Sequence, residues 1–144
     1  MAWCQAWAQA ANVRQGAGRV HVLDWEISGQ LSGYTADLAR RAAVTWPDAE
    51  LAVAIGADQF SAFSTWYRGM EILDYAGLLV IPRGGVPIDG NSLHHLRRQG
   101  HNVEVLDTEP VVASSTAIRA LKAAGDETWK RQLLPEVAAV QVAA

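Results

Sequence analysis

The chain has 144 residues, 50% hydrophobic and 19% charged, which is enough for one globular domain with a real core. Its net charge of −3 excludes the basic surface that carries bulk binding to nucleic acid. A single cysteine, Cys4, excludes an internal disulfide and suits the reducing cytoplasm. No apolar run reaches the ~20 residues of a membrane span. We therefore expect one cytoplasmic domain over residues 1–144, without a membrane partner.

The first half of the chain alternates predicted helices and strands. Tryptophan and alanine recur at helical spacing over residues 3–12, which predicts an amphipathic helix, and most of the six tryptophans are expected to be core anchors. Residues 20–27 are rich in β-formers and predict a strand. A helix is expected over residues 35–45. The apolar run 51–55, ended by Gly56, predicts a strand buried on both faces.

The second half continues the alternation. Residues 59–75 predict two short helical pieces, and the apolar run 78–81, stopped by a proline, predicts a second buried strand. The remaining predicted elements are a loop over 82–91, a helix over 92–99, a short strand over 103–106, and helices that start near Ser115 and after Pro135. Helices alternating with apolar strands indicate a parallel α/β sheet covered by helices on both faces. Ligands bind beyond the carboxyl ends of such strands.

Three candidate positions lie at such places, each with a plainer alternative. Gly56 lets a ligand approach the backbone, and Asp58 can accept bonds from a ribose or a base; capping of the next helix explains the same pair. Trp66 can stack on a flat heteroaromatic ring, whereas packing between helix and sheet is the alternative. Tyr34 and Thr35 open a helix whose N–H groups can hold a carboxylate, and Thr35 can equally be a simple cap.

The strongest signal is the run Ser114-Ser115-Thr116 followed by Arg119. Free N–H groups and hydroxyls at a helix start bind phosphate, and an arginine in the first turn opposes the helix dipole unless an anion is present. Capping explains one hydroxyl but not the whole set. The pattern predicts a site for a phosphate chain. No histidine has a metal-ligand spacing, so we assign no metal site and no catalytic histidine among His21, His94, His95 and His101.

In this order, the motifs resemble those of bacterial nicotinate-nucleotide adenylyltransferases, of the nucleotidyltransferase superfamily. The resemblance spans residues 20–137, most of the chain. The matching motifs are Asp24-Trp25-Glu26, Gly33-Tyr34-Thr35-Ala36-Asp37, Ile55-Gly56-Ala57-Asp58, Trp66-Tyr67-Arg68, Val80-Ile81-Pro82-Arg83, Ala113-Ser114-Ser115-Thr116-Ala117-Ile118-Arg119 and Leu133-Leu134-Pro135-Glu136-Val137. Each motif is modest, but their joint order and spacing are specific.

The resemblance implies a Rossmann-like fold and a reaction of NAD biosynthesis. AMP would pass from ATP, with Mg²⁺, to nicotinate mononucleotide, giving deamido-NAD and pyrophosphate. Trp66 would stack on the nicotinate ring, while Tyr34 and Thr35 would receive its carboxylate. The residues implied to bind ATP are Gly56 and Asp58 at the nucleotide, and Ser115, Thr116 and Arg119 at the phosphates.

One family motif has no counterpart in the chain. The family pattern opens with a Gly-x-Phe-x-Pro-x-His-x-x-His loop, whose histidines stabilise charge at the α-phosphate. We therefore expect an N-terminally truncated form of the fold, with no catalytic residue retained and weak or negligible turnover. Two alternatives stay open: a non-catalytic nucleotide-binding remnant, and an adenylyltransferase for another phosphorylated acceptor. If the helix over 3–12 loses its packing partner, its exposed apolar surface favours self-association.

Overall fold

The computed structural model describes residues 1–16, 18–110 and 115–142. The chain divides into two compact units, which are described separately: unit 1 is Met1–Asp24 with Ala113–Ala144, and unit 2 is Trp25–Val112. The prediction of a single domain over residues 1–144 stays a prediction. In the part of the chain that the structure describes, no helix combines the length and the apolar character needed to cross a bilayer.

Seven α-helices and three strands are described. The helices are α1 (Ala2–Gln15), α2 (Thr35–Thr45), α3 (Ala57–Ala62), α4 (Gly69–Ile72), α5 (Gly90–Arg98), α6 (Ser115–Ala123) and α7 (Pro135–Val142). The strands are β1 (Ala52–Gly56), β2 (Gly77–Ile81) and β3 (Val103–Val105). Two 3-10 helices span Phe63–Thr65 and Glu127–Gln132. All the predicted elements are confirmed within a few residues, except the strand over 20–27.

Unit 2 is built on a parallel sheet in the order β1-β2-β3. The register places Ile55 opposite Val80, and Val80 opposite Val105. Residues that face each other in this way point to the same side of a sheet, so the alternate positions of all three strands form two separate faces. One face carries the core of the unit. The other members of that core are Ala36, Ala39, Phe60, Phe63, Ile72, Leu78, Leu96 and Val103.

The opposite face of β1 is open. Ala52 and Ala54 are exposed, whereas Ile55 is buried. The prediction that this strand is buried on both faces is therefore wrong. The reason is that the core of unit 2 packs against the face of β1 that carries Ile55, whereas Ala52 and Ala54 on the other face stay accessible. An unbroken apolar run does not distinguish a strand that is covered on both faces from one that is covered on a single face.

The predicted strand over 20–27 does not form. Asn12 of α1 holds the backbone of Val20 from both sides: its Nδ2 donates to the Val20 carbonyl at 2.8 Å, and its Oδ1 accepts from the Val20 N–H at 2.8 Å. A residue whose backbone groups are already paired with a side chain has no need of a sheet partner. Local hydrogen bonding thus overrides β-propensity here.

The helix α1 packs against α7 within unit 1, and Arg14 forms an ion pair with Glu136 at 2.6 Å. Its buried residues are the small Ala8 and Ala11. Trp3 and Trp7 are 51% and 44% exposed, so the prediction that most tryptophans are core anchors is wrong. The buried tryptophan of the chain is Trp129, which is 5% exposed.

Candidate functional site

The start of α2 is shaped by a glycine and by a serine that the motif does not include. Gly33 has a φ of 84°, in the left-handed region that favours glycine. Tyr34 is the N-cap, without a side-chain cap, so the prediction that Thr35 caps the helix is wrong; Thr35 is its first residue. Instead, the Ser32 hydroxyl accepts a hydrogen bond from the Tyr34 N–H at 3.3 Å and donates one to the Asp37 carboxylate.

Trp66 lies at the margin of the unit 2 core. Its ring centroid is 5.6 Å from that of Phe63, with the two ring planes at 55°. Trp66 is half-buried as a residue and packs against the core without belonging to its buried members. Both interpretations of Trp66 therefore stay compatible with its position.

Tyr67 and Arg68 form the centre of a tight turn, closed by a hydrogen bond of 3.0 Å from the Gly69 N–H to the Trp66 carbonyl. Arg68 has φ 55° and ψ 29°, the only left-handed non-glycine residue among those the structure describes. Such a conformation costs roughly 1–2 kcal/mol outside glycine. Gly69 is needed for space, since a Cβ there would lie 2.7 Å from the Phe63 carbonyl oxygen. The left-handed backbone of Arg68 and the lack of room for a side chain at Gly69 together fix the conformation of this turn.

The Arg68 guanidinium joins this turn to α2. Its Nε donates to Oε2 of Glu71 at 2.6 Å, and its Nη2 donates to the other oxygen of that carboxylate. Its Nη1 donates to Oδ1 of Asp37 at 3.0 Å. Two-pronged pairs of this kind are among the stronger hydrogen bonds in proteins. Arg68 is therefore the physical link between the two segments.

These bonds shift the ionisation of all three groups. Hydrogen bonds from Ser32, and then from Arg68, hold the pKa of Asp37 below its ordinary 3.8. The hydrogen bonds from Arg68 likewise lower the pKa of Glu71 below 4.5. In return, the bonds to Glu71 and then to Asp37 raise the pKa of Arg68. The network is therefore fully charged at neutral pH.

The aromatic residues of the two segments also meet. The rings of Tyr34 and Tyr67 lie 4.4 Å apart, tilted by 39°. Both remain accessible, at 49% and 60% exposure. Two motifs that lie about thirty positions apart in sequence therefore form one surface in unit 2. We call residues 34–37 and 66–68 together the paired segments.

Gly56 and Asp58 lie where β1 ends and α3 begins. Gly56 is the N-cap of α3, so the alternative in which Asp58 caps the helix is wrong. A Cβ on Gly56 would lie 2.6 Å from Oδ1 of Asp58. This oxygen is buried without a hydrogen-bond partner, while Oδ2 accepts from Nη1 of Arg83 at 3.0 Å. Burial raises the pKa of Asp58, but the hydrogen bonds from Arg83 and Gln59 and the charge of Arg83 together outweigh burial, so this pKa lies below 3.8.

The predicted phosphate helix, α6, begins at Ser115, as expected. Ser115, Thr116 and Arg119 are exposed, and Nη2 of Arg119 donates to the Thr116 hydroxyl at 3.4 Å. The first turn of α6 carries no acidic residue. Ser114, the other hydroxyl of this prediction, lies outside the described residues.

A cavity of about 310 Å³ lies beside α6 within unit 1. Ser115, Arg119 and Lys122 line it from one face of the helix, because their spacing of four and three residues brings them into line. The remaining lining residues are apolar: Trp3, Ile118, Trp129, Leu133 and Val137. Polar and cationic side chains of α6 thus share the lining of this cavity with apolar side chains.

The paired segments, Gly56 and Asp58 belong to unit 2, whereas Ser115, Thr116 and Arg119 belong to unit 1. The assembly of both groups around one triphosphate therefore stays a prediction. Among residues 1–16, 18–110 and 115–142, no group of three or more His, Cys, Asp or Glu side chains is placed to hold a metal ion.

The sequence of this chain is similar to those of curated proteins of one kind. The chain is 33% identical over 118 residues to the curated "Probable nicotinate-nucleotide adenylyltransferase" of Methylibium petroleiphilum, covering 82% of this chain and 54% of the relative. It is 30% identical over 113 residues to the protein of the same name from Bacteroides fragilis, covering 78% and 53%. The chain is related to the nicotinate-nucleotide adenylyltransferases. The resemblance predicted from the motifs is thereby confirmed.

The chain spans about half the length of the curated nicotinate-nucleotide adenylyltransferases that it matches. No family model matches it. Among solved structures, "Plasmodium falciparum nicotinic acid mononucleotide adenylyltransferase complexed with APC" superposes with a TM-score of 0.52 at 18% identity, covering 61% of this chain and 44% of that one. At this identity the likeness concerns the fold alone. The Rossmann-like α/β class is confirmed.

Sequence reasoning missed three polar residues that organise unit 2. Ser32 lies just before the motif at 33–37, yet its hydroxyl orders the start of α2. Arg68 and Arg83 each belong to a motif in which they were given no role of their own. Arg68 pairs with Asp37 and Glu71, and Arg83 pairs with Asp58. The only signal in the sequence was that each lies in or beside a recognised motif.

Proposed function

We propose that this chain carries acceptor-binding and phosphate-binding elements of a nicotinate mononucleotide adenylyltransferase, which transfers AMP from ATP to nicotinate mononucleotide. The main support is the contact between the paired segments, where Tyr34 meets Tyr67 and Asp37 meets Arg68. Chance resemblance of two short motifs gives no reason for them to touch. The similarity to curated adenylyltransferases over most of the chain adds independent support.

On the acceptor side, each group suits one part of nicotinate mononucleotide. The half-buried Trp66 offers an indole face to the flat, electron-poor pyridine ring. The N–H groups at the start of α2, around Tyr34 and Thr35, suit the ring carboxylate. The charge of Asp37 would repel that carboxylate, but the ion pair with Arg68 offsets it.

On the ATP side, the proposal assigns two contact regions. Gly56 lets the nucleotide approach the end of β1, where Asp58 can accept hydrogen bonds from a ribose or a base. Ser115, Thr116 and Arg119 present hydroxyls and a guanidinium at a helix start that lacks an acidic residue. An anion of the triphosphate tail matches both this charge and the helix dipole.

In the proposed reaction, a phosphate oxygen of nicotinate mononucleotide attacks the α-phosphorus of ATP, and pyrophosphate leaves. The residues named above align the reactants and offset negative charge, without a covalent intermediate. Mg²⁺ arrives with ATP and neutralises phosphate charge; the described residues offer no separate acidic cluster for it, and Mg²⁺ is commonly held through substrate phosphates. None of the chain's own side chains takes a catalytic role in this proposal. We therefore expect weak or negligible turnover from the chain alone.

Two other functions compete with this one. A non-catalytic nucleotide-binding remnant would hold nucleotides through the same binding elements without transferring AMP. An adenylyltransferase for another acceptor, such as nicotinamide mononucleotide or pantetheine phosphate, would use the same phosphate elements. The proposal also places the chain in the cytoplasm, where the exposed Cys4 stays reduced, with no nucleic acid partner and with self-association through the exposed Trp3 and Trp7.

Calorimetric titration of the chain with nicotinate mononucleotide, nicotinamide mononucleotide, pantetheine phosphate and MgATP tests the proposal. We expect binding of MgATP and tighter binding of the acid than of the amide. Trp66→Leu should weaken acceptor binding, whereas the control Trp46→Leu, at an exposed tryptophan of the same unit, should not. Absence of binding by every nucleotide would overturn the proposal. Binding of MgATP but of none of the acceptors favours the remnant, and preference for another acceptor favours the third function.

A further inference from the structure

Arg68 combines two features that rarely occur together. It holds a left-handed backbone conformation that normally favours glycine. Its side chain also pairs with carboxylates from two different helices, Asp37 of α2 and Glu71 of α4. A glycine would satisfy the turn more easily but could not make these bonds. The guanidinium therefore contributes something that the turn itself does not need.

We propose that Arg68 is a positioning residue, which holds the turn of Trp66 and Tyr67 against the start of α2 and so sets the spacing of the acceptor-binding surface. This inference rests on the proposed function for the identity of the acceptor. Arg68 acts through Asp37 and through the turn, and does not itself touch the acceptor.

The geometry of the link supports this role. Asp37 lies in the first turn of α2, directly after the Tyr34 and Thr35 positions, and its second oxygen accepts from Ser32. One carboxylate therefore connects Arg68 to the same serine that bonds the Tyr34 N–H. A shift of Arg68 is transmitted to the backbone at Tyr34 through three hydrogen bonds, by way of Asp37 and Ser32. The side chains of Arg68 and Asp37 are only 34% and 17% exposed, so solvent screens their pair incompletely.

The link also has an electrostatic consequence. An unpaired Asp37 would place a negative charge within one helical turn of the N–H groups proposed to receive a carboxylate. Paired with Arg68, the aspartate adds little net charge there. Loss of the Arg68 side chain therefore has two effects on the binding of an acidic acceptor. The paired segments are held together less firmly, and their surface becomes more negative. Nicotinamide mononucleotide, whose ring carries an uncharged amide in place of the carboxylate, senses mainly the first.

The experiment compares variants that separate the turn from the link. Arg68→Gly keeps the left-handed turn and removes the guanidinium, Asp37→Asn removes the negative charge that Arg68 meets on α2 and keeps the Glu71 pair, and Arg68→Lys keeps a charge without the two-pronged geometry. Glu127→Gln is the matched control, because it removes another ion pair of i,i+3 spacing, with Lys130, in the other unit. Two quantities are measured: nuclear Overhauser contacts between the Tyr34 and Tyr67 rings, and the calorimetric Kd for nicotinate mononucleotide.

We expect the ring contacts to weaken in Arg68→Gly and Asp37→Asn but not in the control. The Kd should rise about threefold to tenfold in these two variants, with the thermal midpoint nearly unchanged. Arg68→Lys should fall between the wild type and Arg68→Gly. If Arg68 served only the stability of the turn, Arg68→Gly would raise the thermal midpoint and leave the ring contacts unchanged, because glycine at position 68 relieves the strain.

The outcomes distinguish this inference from the proposed function. Ring contacts that persist in both variants overturn the positioning role, whatever binds. Weakened ring contacts with a raised Kd support it. Should the wild-type chain bind no nicotinate mononucleotide, the proposed function fails, while weakened ring contacts would still support the link between the two segments.

Discussion

The starts of α2 and α6 are both helix N-termini that the sequence marks as anion sites, but they are built differently. At α2, the acidic Asp37 lies in the first turn and is paired with Arg68 and Ser32. At α6, the first turn has no acidic residue, and Arg119 makes a single described hydrogen bond, of 3.4 Å, to Thr116. At α2, protein groups offset the negative charge that the first turn carries. At α6, an external anion meets no acidic residue in the first turn.

The largest expected effect is on the free energy of unfolding, which separates the packed surroundings of Trp66 from the exposed start of α6. Phe63 is 3% exposed and packs against Trp66, so Phe63→Ala should lower the free energy of unfolding by ~3–5 kcal/mol, through lost burial and a cavity. Ser115→Ala, at an exposed position of α6, should change it by less than ~0.5 kcal/mol. Urea unfolding followed by far-ultraviolet circular dichroism measures both. Equal losses of unfolding free energy in the two variants would contradict the contrast between a packed site at Trp66 and an open one at α6.

The next largest effect concerns the backbone beneath Trp66. Gly69→Ala brings a Cβ to 2.7 Å from the Phe63 carbonyl oxygen and 3.1 Å from the Trp66 Cβ. We expect a loss of ~1–3 kcal/mol from overpacking and a shift of the indole. Gly90→Ala is the control, since a Cβ there meets nothing within 4 Å. Thermal unfolding compares the two, and a harmless Gly69→Ala would show that the turn adapts freely.

At α6, the effect should appear in binding and not in stability. Arg119→Ala should weaken MgATP binding about tenfold, or ~1.4 kcal/mol, because a charge-assisted contact to phosphate is lost. Arg131→Ala removes the same charge from an exposed position of the same unit and should leave the Kd unchanged. Calorimetry measures both variants. If MgATP binding weakened tenfold in the control as well, the contribution of Arg119 would be general electrostatic attraction and not a specific contact.

The smallest expected effect is on pH dependence. The pKa values of Asp37 and Glu71 lie below their ordinary 3.8 and 4.5. Their stabilisation is therefore complete above the ordinary values and is lost as pH falls through the lowered ones. Asp37→Asn should flatten the acid side of a plot of thermal midpoint against pH. An unchanged acid limb would show that the network contributes nothing to folding.

The sequence was most informative where one physical rule acts alone. The apolar runs 51–55 and 78–81 predicted β1 and β2, and the hydroxyls at 115–116 predicted the start of α6, because burial and capping depend on residues close in sequence. The failures have the opposite cause. Whether one face of β1 is covered or both depends on its neighbours in space, which the run itself does not encode.

The candidate site shows the same division. The motifs at 34–37 and 66–68 could be recognised separately, but nothing in either indicated that Arg68 would bond Asp37, because the two are 31 positions apart. Similarly, the fate of residues 20–27 was decided by Asn12, a residue outside the predicted strand. Local pattern thus identified which residues matter, and tertiary contacts decided which of them act together.

The crowding between Gly56 and Asp58 makes these two positions interdependent in evolution and in design. The φ of Gly56 is −72°, a value open to any residue, so its lack of a side chain matters only because the neighbouring carboxylate occupies the room. Alanine at 56 would require the Asp58 carboxylate to move. A shorter side chain at position 58 removes this conflict, so the residue that position 56 accepts depends on the residue at position 58.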